Sequence, residues 1–436
     1  MLIINATIFT GDSNRPLIKD GAIAIEGTKI AAVGKLTDIS EKYPELDKYD
    51  AGGSVITPGL VNAHMHLYSS LAKGMPPPST KPKNFVEVLE KIWWRLDKAL
   101  NPEDVYLSAM VGLIECAKAG VTTVIDHHSS PNAIRGSLST IAKALSEVGM
   151  RGVLCYEVSD RDGEKKRDDG ITENSDFITS SVENSGRYAG MFGLHASFTL
   201  SDDTLKAASE ANNGNRFHIH VGEDRADLKD SQVKYGVSVV SRLTSLDILN
   251  NESLAAHCVH LEEGDLGLLK ESGVLVTHQP QSNANNDVGR APIPELIKAG
   301  VKVALGTDSY THNLLEEAHF ALLNHDETNG GPLSIDDLNQ MLNENANAAS
   351  KYLGVKIGSI IEGAEADLAL YDNKSPTPLT EENVSSYLYN DLNLISPHTV
   401  ISGGELIVEE YQLTKINEEE ILKESRSAAS ALWDRM

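Results

Sequence analysis

Cysteine is scarce in this chain: Cys116, Cys155 and Cys258 are odd in number and far apart, which excludes a disulfide framework as the source of stability. Basic residues are outnumbered, 38 Lys and Arg against 63 Asp and Glu, for a formal net charge of -25. So acidic a surface repels phosphate backbones and anionic lipid, and neither nucleic-acid nor membrane binding is expected. The acidity reads as a solubility device. No apolar run approaches the roughly 18 residues needed to span a bilayer. The opening stretch, Met1-Leu2-Ile3-Ile4-Asn5-Ala6-Thr7, lacks the basic start and apolar run of a secretory leader. A soluble, cytoplasmic protein is expected.

What is present is enough apolar sequence for a large core: 41% of 436 residues are hydrophobic, and that length admits more than one domain. The two ends share a texture. Leu2-Ile3-Ile4, Ala22-Ile23-Ala24-Ile25 and Ile30-Ala31-Ala32-Val33 are short apolar runs separated by turns, a pattern of small antiparallel strands. It returns in Ala366-Asp367-Leu368-Ala369-Leu370-Tyr371 and Val400 to Val408. Residues 1–57 and 358–412 are therefore predicted to build one composite β-sandwich domain. Residues 413–436 carry Ile421, Ser425, Ala428, Leu432 and Trp433 on one helical face, which predicts a docking helix.

The middle, residues 58–357, alternates apolar runs with helix-like segments such as Leu138 to Val148 and Ile293 to Ala299. Buried parallel strands read this way. The run before His64 and seven later ones give eight strand candidates, which fits a (β/α)8 TIM-like barrel, with a doubly wound open sheet as the alternative. Histidine or acid stands at the C-terminal end of each: His64 and His66, Asp126, Glu157, His195, His220, His257, His278, Asp308. One such histidine is more often structural than catalytic. Eight strands ending so are hard to explain by packing, because a barrel enzyme builds its active site at that edge.

The sharpest local motif is Ala63-His64-Met65-His66. Residues two apart on a strand share a face, so both imidazoles can reach one ion. With His220-Val221-Gly222-Glu223, His257 and Gly306-Thr307-Asp308-Ser309 downstream, the set becomes a nitrogen and oxygen ligand field without thiolate. Such a field suits one divalent metal ion, Zn2+ or Fe2+.

This ordered series resembles the amidohydrolase superfamily, in its deaminase and chlorohydrolase branch, over nearly the whole chain. Longer stretches, among them Trp93-Trp94-Arg95-Leu96-Asp97, Cys155-Tyr156-Glu157-Val158-Ser159-Asp160-Arg161-Asp162-Gly163 and Gly193-Leu194-His195-Ala196-Ser197-Phe198, resemble an aminohydrolase subgroup linked to purine metabolism. The resemblance implies that His64, His66, His220 and Asp308 hold the metal. It implies that Glu223, His257 and Asp308 move protons, and that His195 faces substrate. A strand-four bridging lysine, frequent in two-metal members, is missing between Gly190 and Phe198, which favours one ion. The implied reaction is hydrolytic deamination of a purine-like or related N-heterocycle by an activated water. Ring-opening hydrolysis of a cyclic amide and a non-catalytic scaffold are the competing readings. A small heterocyclic substrate and a homo-oligomer, dimer or higher, are the expected partners.

Other residues stay open at this point. Arg161 is either a substrate contact or the partner of Asp160 or Asp162. Of Trp93 and Trp94, one is expected to stack over a heterocycle and the other to join the core. His218 reads as interior packing, and His127 and His128 as pocket or structural. His312, His319, His325 and His398 have no supporting spacing. Two departures from the branch pattern, His278-Gln279-Pro280-Gln281-Ser282-Asn283 and Ser309 after Asp308, bear on substrate rather than metal.

Overall fold

A computed structural model describes residues 1–184, 186–212, 216–324 and 331–436. His325 lies outside the described residues.

Among the described residues, eight parallel strands form the centre. In chain order they are Leu60–Met65, Val121–His128, Arg151–Tyr156, a fourth in two pieces (Tyr188–Gly190 and Phe192–Ala196), Phe217–Val221, Leu254–His257, Leu275–His278 and Lys302–Leu305. Apart from Lys302 and the first piece of strand four, every residue in them is buried. That is why the sequence shows continuous apolar runs there rather than alternation. The first piece of strand four pairs with strand three, and the second with strand five. A Val158–Leu194 bridge ties strand four again to the end of strand three.

The ring closes between strands eight and one. Thr307 and Asp308 donate backbone N–H groups to the His64 carbonyl at 2.9 and 3.0 Å, and Met65 bridges Asp308. Closure replaces the open-sheet alternative with a barrel. Gly306 lets the two strands meet: a Cβ there would lie 2.7 Å from the His64 carbonyl oxygen and 2.8 Å from the His64 Cβ. Helices follow the strands. The first long one, Pro102–Lys118, starts with proline in its first turn and a reciprocal Asn101–Asp104 cap, which together satisfy exposed backbone donors.

Both chain ends contribute to a separate nine-stranded sheet. Leu2–Phe9 pairs antiparallel with Leu17–Glu26 and parallel with Val55–Pro58. Val55–Pro58 in turn pairs antiparallel with Leu368–Tyr371, which continues through Thr399–Ser402 to Glu405–Glu409. Ile3, Ile8, Ile23, Ile56, Leu368 and Ile401 share one apolar cluster, while Leu2, Ala22, Ala24 and Ala32 join Ile39 in another. The period of two in the sequence produces this division. Arg151, buried at the start of strand three, fastens this sheet's end to the barrel through Asp367 at 3.0 Å and Glu365 at 2.8 Å. The last helix, Glu418–Asp434, buries Ser425, Ala429 and Leu432, and Trp433 donates its indole N–H to the Leu71 carbonyl at 3.0 Å. Among the described residues, no helix is long and apolar enough to cross a membrane.

Candidate metal centre and its cleft

The C-terminal strand ends open into a cleft of about 990 Å³, its mouth included, walled by Tyr68, Trp93, Trp94, Phe198 and Tyr310. At its floor lie His66, His220, His257 and Asp308, with His64 buried beneath. Ring centroids of His64, His66 and His220 stand 4.9 to 5.2 Å apart.

Each imidazole is aimed by its other nitrogen. His66 Nδ1 donates to the His127 carbonyl at 2.5 Å, and His220 Nδ1 to the His195 carbonyl at 2.8 Å. A carbonyl only accepts, so both Nδ1 atoms carry protons. In the neutral rings both Nε2 atoms then carry lone pairs, yet these atoms face each other at 3.2 Å. Asp308 Oδ1 lies 3.1 Å from His66 Nε2. His64 Nδ1 is engaged by His218 at 2.8 Å, while its Nε2, fully buried, has no hydrogen-bond partner. Three nitrogens and a carboxylate converging in this way are a donor set for a divalent cation, and outer-shell carbonyls of this kind fix ligand tautomers. His64, His66 and Asp308 form one group able to hold an ion, and His64, His220 and His257 another.

The electrostatics agree. Burial, reinforced by neighbouring imidazoles, pushes His64 and His220 well below the usual histidine range and keeps them neutral. Burial also lowers His66, but Asp308 and Glu157 overcome it and raise the group to about 9. The spot is therefore built to hold positive charge. Burial opposes ionisation of Asp308, but His66, His257 and the Ser282 hydroxyl, at 2.5 Å, hold its carboxyl well below the usual range.

His257 and Glu223 stand beside this floor. The Asn283 amide oxygen accepts from His257 Nδ1 at 2.8 Å, leaving Nε2 as a free base 3.6 Å from Glu223 and 3.9 Å from Asp308. Burial and the Asp308 charge push the Glu223 carboxyl well above its ordinary value, which favours its acid form. The turn that delivers it needs Gly222, at φ +55, where a Cβ would meet the His260 carbonyl oxygen at 2.5 Å. His257 and Asp308 themselves adopt left-handed conformations, φ 74 and 55. Side chains held there by a rigid surround are typical of functional sites.

The remaining predicted residues divide. His195 lines the cleft, with Nδ1 bound to the Thr199 hydroxyl at 2.8 Å. Arg161 is not among the lining residues: its guanidinium is bonded to Asp97, lies 3.5 Å from Asp162 and sits over the Trp94 ring at 5.2 Å. Its partner Asp97 does line the cleft. Both Trp93 and Trp94 line it, where one had been assigned to the core. His218 does more than pack, since it orients His64. His128 bonds Ser130, His312 pairs with Glu115, and His398 belongs to the terminal sheet beside Ser54. Ser282, Asn283 and Glu157 were missed as site residues. The first two stood in the noted departure after strand seven, and the third in the row of strand-end acids.

The sequence profile of the amidohydrolase family matches residues 55–407. The chain belongs to the amidohydrolase family. Among similar amidohydrolases is a 5-methylthioadenosine/S-adenosylhomocysteine deaminase of Pelotomaculum thermopropionicum, 32% identical across 100% of this chain and 99% of its own length. A 5'-deoxyadenosine deaminase of Methanosarcina mazei is 31% identical across 100% and 99%. The fold is shared with a zinc-bound adenosine deaminase of Xanthomonas campestris, at a TM-score of 0.85, 21% identity and coverage of 99% and 98%. It is shared as well with a zinc-bound atrazine chlorohydrolase of Arthrobacter aurescens, at 0.81, 22%, and 98% and 99%. This amidohydrolase is a hydrolase of non-peptide C–N bonds.

Proposed function

We propose that this amidohydrolase removes the exocyclic amino group of a purine-like base by hydrolysis, using one zinc ion held by His64, His66, His220 and Asp308. The observation that carries the reading is the convergence of His66 Nε2 on His220 Nε2 at 3.2 Å and on Asp308 Oδ1 at 3.1 Å, above a buried His64 Nε2 that has no hydrogen-bond partner. Zinc suits three imidazoles and a carboxylate without thiolate. When bound, such an ion lowers the pKa of a coordinated water from about 15.7 toward 7.

The protein's own groups supply the rest. His257 Nε2 and Asp308 are positioned to take the proton of the attacking water. Glu223, kept in its acid form, gives its proton to the ring nitrogen, and the proton taken from the water passes through Glu223 to the departing amine. His195 and Trp94, their rings 6.2 Å apart, form a wall for a flat heterocycle. Arg161 acts at one remove, by holding Asp97 at the cleft wall. The deaminase relatives named for adenosine-type nucleosides support this substrate class. Three free, buried cysteines suit a reducing cytoplasm. Incubation with 5'-deoxyadenosine and 5-methylthioadenosine, followed by ammonia and absorbance measurements, tests the reading. Ammonia with an intact purine ring is expected; a ring-opened product would overturn it.

A further inference from the structure

Glu157, at the end of strand three, is a buried carboxylate that lines the cleft, and no protein hydrogen bond to its side chain is found among the described residues. Its Oε1 lies 3.4 Å from His66 Nδ1 and 3.4 Å from His127 Nδ1. The His66 N–H is already given to the His127 carbonyl at 2.5 Å, and His127 Nδ1 has no hydrogen-bond partner. The Glu157 oxygens therefore face the cleft without a protein donor among the described residues, and a ligand there can supply one.

Glu157 Oε2 points the other way, to 4.0 Å from His195 Nε2. The tautomer of His195 follows from its neighbours. The Thr199 hydroxyl donates to the Ala196 carbonyl at 3.0 Å, so it accepts from His195 Nδ1 at 2.8 Å. In the neutral ring His195 Nε2 is therefore a lone pair. Two acceptors 4.0 Å apart face the cleft with no protein donor among the described residues. Their spacing suits hydrogen bonds of about 2.9 Å from one amino group, or from an amino group beside a ring N–H.

We infer that Glu157 and His195 form an acceptor pair that selects a purine-like ring carrying a second N–H donor group in addition to the amine that leaves. The donor belongs to the ring rather than to a distal substituent, because Glu157 sits beside His66 at the metal end of the cleft. This rests on the deaminase reading above and narrows its substrate class. The base of an adenine nucleoside, whose remaining edge offers only acceptor nitrogens and C–H, leaves the pair unsatisfied; a 2-amino substituent satisfies it.

The test compares a 2,6-diaminopurine nucleoside with the adenine nucleoside bearing the same sugar, on zinc-loaded wild type and on Glu157→Gln. Both Kd, from tryptophan fluorescence, and kcat/KM, from ammonia release, are measured. Wild type is expected to favour the 2-amino ring by about tenfold, the scale of one hydrogen bond. Glu157→Gln, which replaces one acceptor with a donor, is expected to abolish or reverse that preference with metal content unchanged. Equal binding of the two rings by wild type overturns the inference without needing the variant. An equal loss on both rings in Glu157→Gln assigns the residue to positioning His66, and loss of a metal equivalent makes it a ligand; either overturns the inference. A tenfold binding preference with no ammonia from either ring sinks the deaminase reading and leaves the acceptor pair standing.

Discussion

Glu223 and His257 sit within 3.6 Å of each other, one an acid and the other a base, because their surroundings differ. Glu223 is buried beside the Asp308 charge, whereas His257 is locked by Asn283 into the tautomer that frees Nε2. Such a split is what proton shuttling needs. Glu223→Gln is expected to lower kcat by about 10²- to 10⁴-fold while leaving metal bound. Steady-state kinetics together with metal analysis checks this, and a variant keeping most of its activity would remove Glu223 from the mechanism. At this scale the sequence was legible where a residue's own spacing dictates its direction. His64 and His66 share a face because strands repeat every two residues, and that needs no tertiary knowledge. Arg161 was legible in part: Asp162, one of its two expected partners, lies 3.5 Å away, but Asp97, which it also bonds, lies 64 positions away, and Asp160 bonds Ser201 and Thr204 instead. The acceptor pair of Glu157 and His195 also depends on two strand ends meeting in space.

Strands are the elements that turn this chemistry into geometry. Eight apolar runs announced them, since a strand buried on both faces has no reason to alternate. The break in strand four at Met191 was not foreseen, because it arises from a change of pairing partner between strands three and five. The closure of strand eight on strand one rests on Gly306, whose absent side chain is filled by His64 backbone. Gly306→Ala pushes those strands apart and moves two of the proposed ligands, His64 and Asp308, relative to each other. It is expected to cost more metal affinity than stability: at least tenfold weaker zinc binding, the scale reported for disturbed ligand orientation, in a protein that still folds. A chelator-competition titration reads this directly, and unchanged affinity would contradict the role given to the closure.

For the whole molecule, the barrel and the sheet built by both chain ends are joined by a buried cation as well as by a shared apolar cluster that includes Tyr371, Val400 and Ile407. Arg151 satisfies Asp367 and Glu365, both almost fully buried. Arg151→Met leaves those carboxylates without their partner and is expected to destabilise the fold by about 3–5 kcal/mol, read as a shift in the denaturant midpoint. A shift near zero would mean that the two parts are held by apolar contact alone. The composite terminal sheet was legible from matching strand textures at the two ends, whereas this link was not, since no local pattern marks which buried arginine meets which acid. The most direct measurement is zinc titration of chelator-stripped protein with ammonia release from a 6-aminopurine nucleoside as the signal. One bound ion predicts release that rises from near zero to a plateau at one equivalent per chain. Undiminished release from stripped protein, or a plateau at two equivalents, would contradict it.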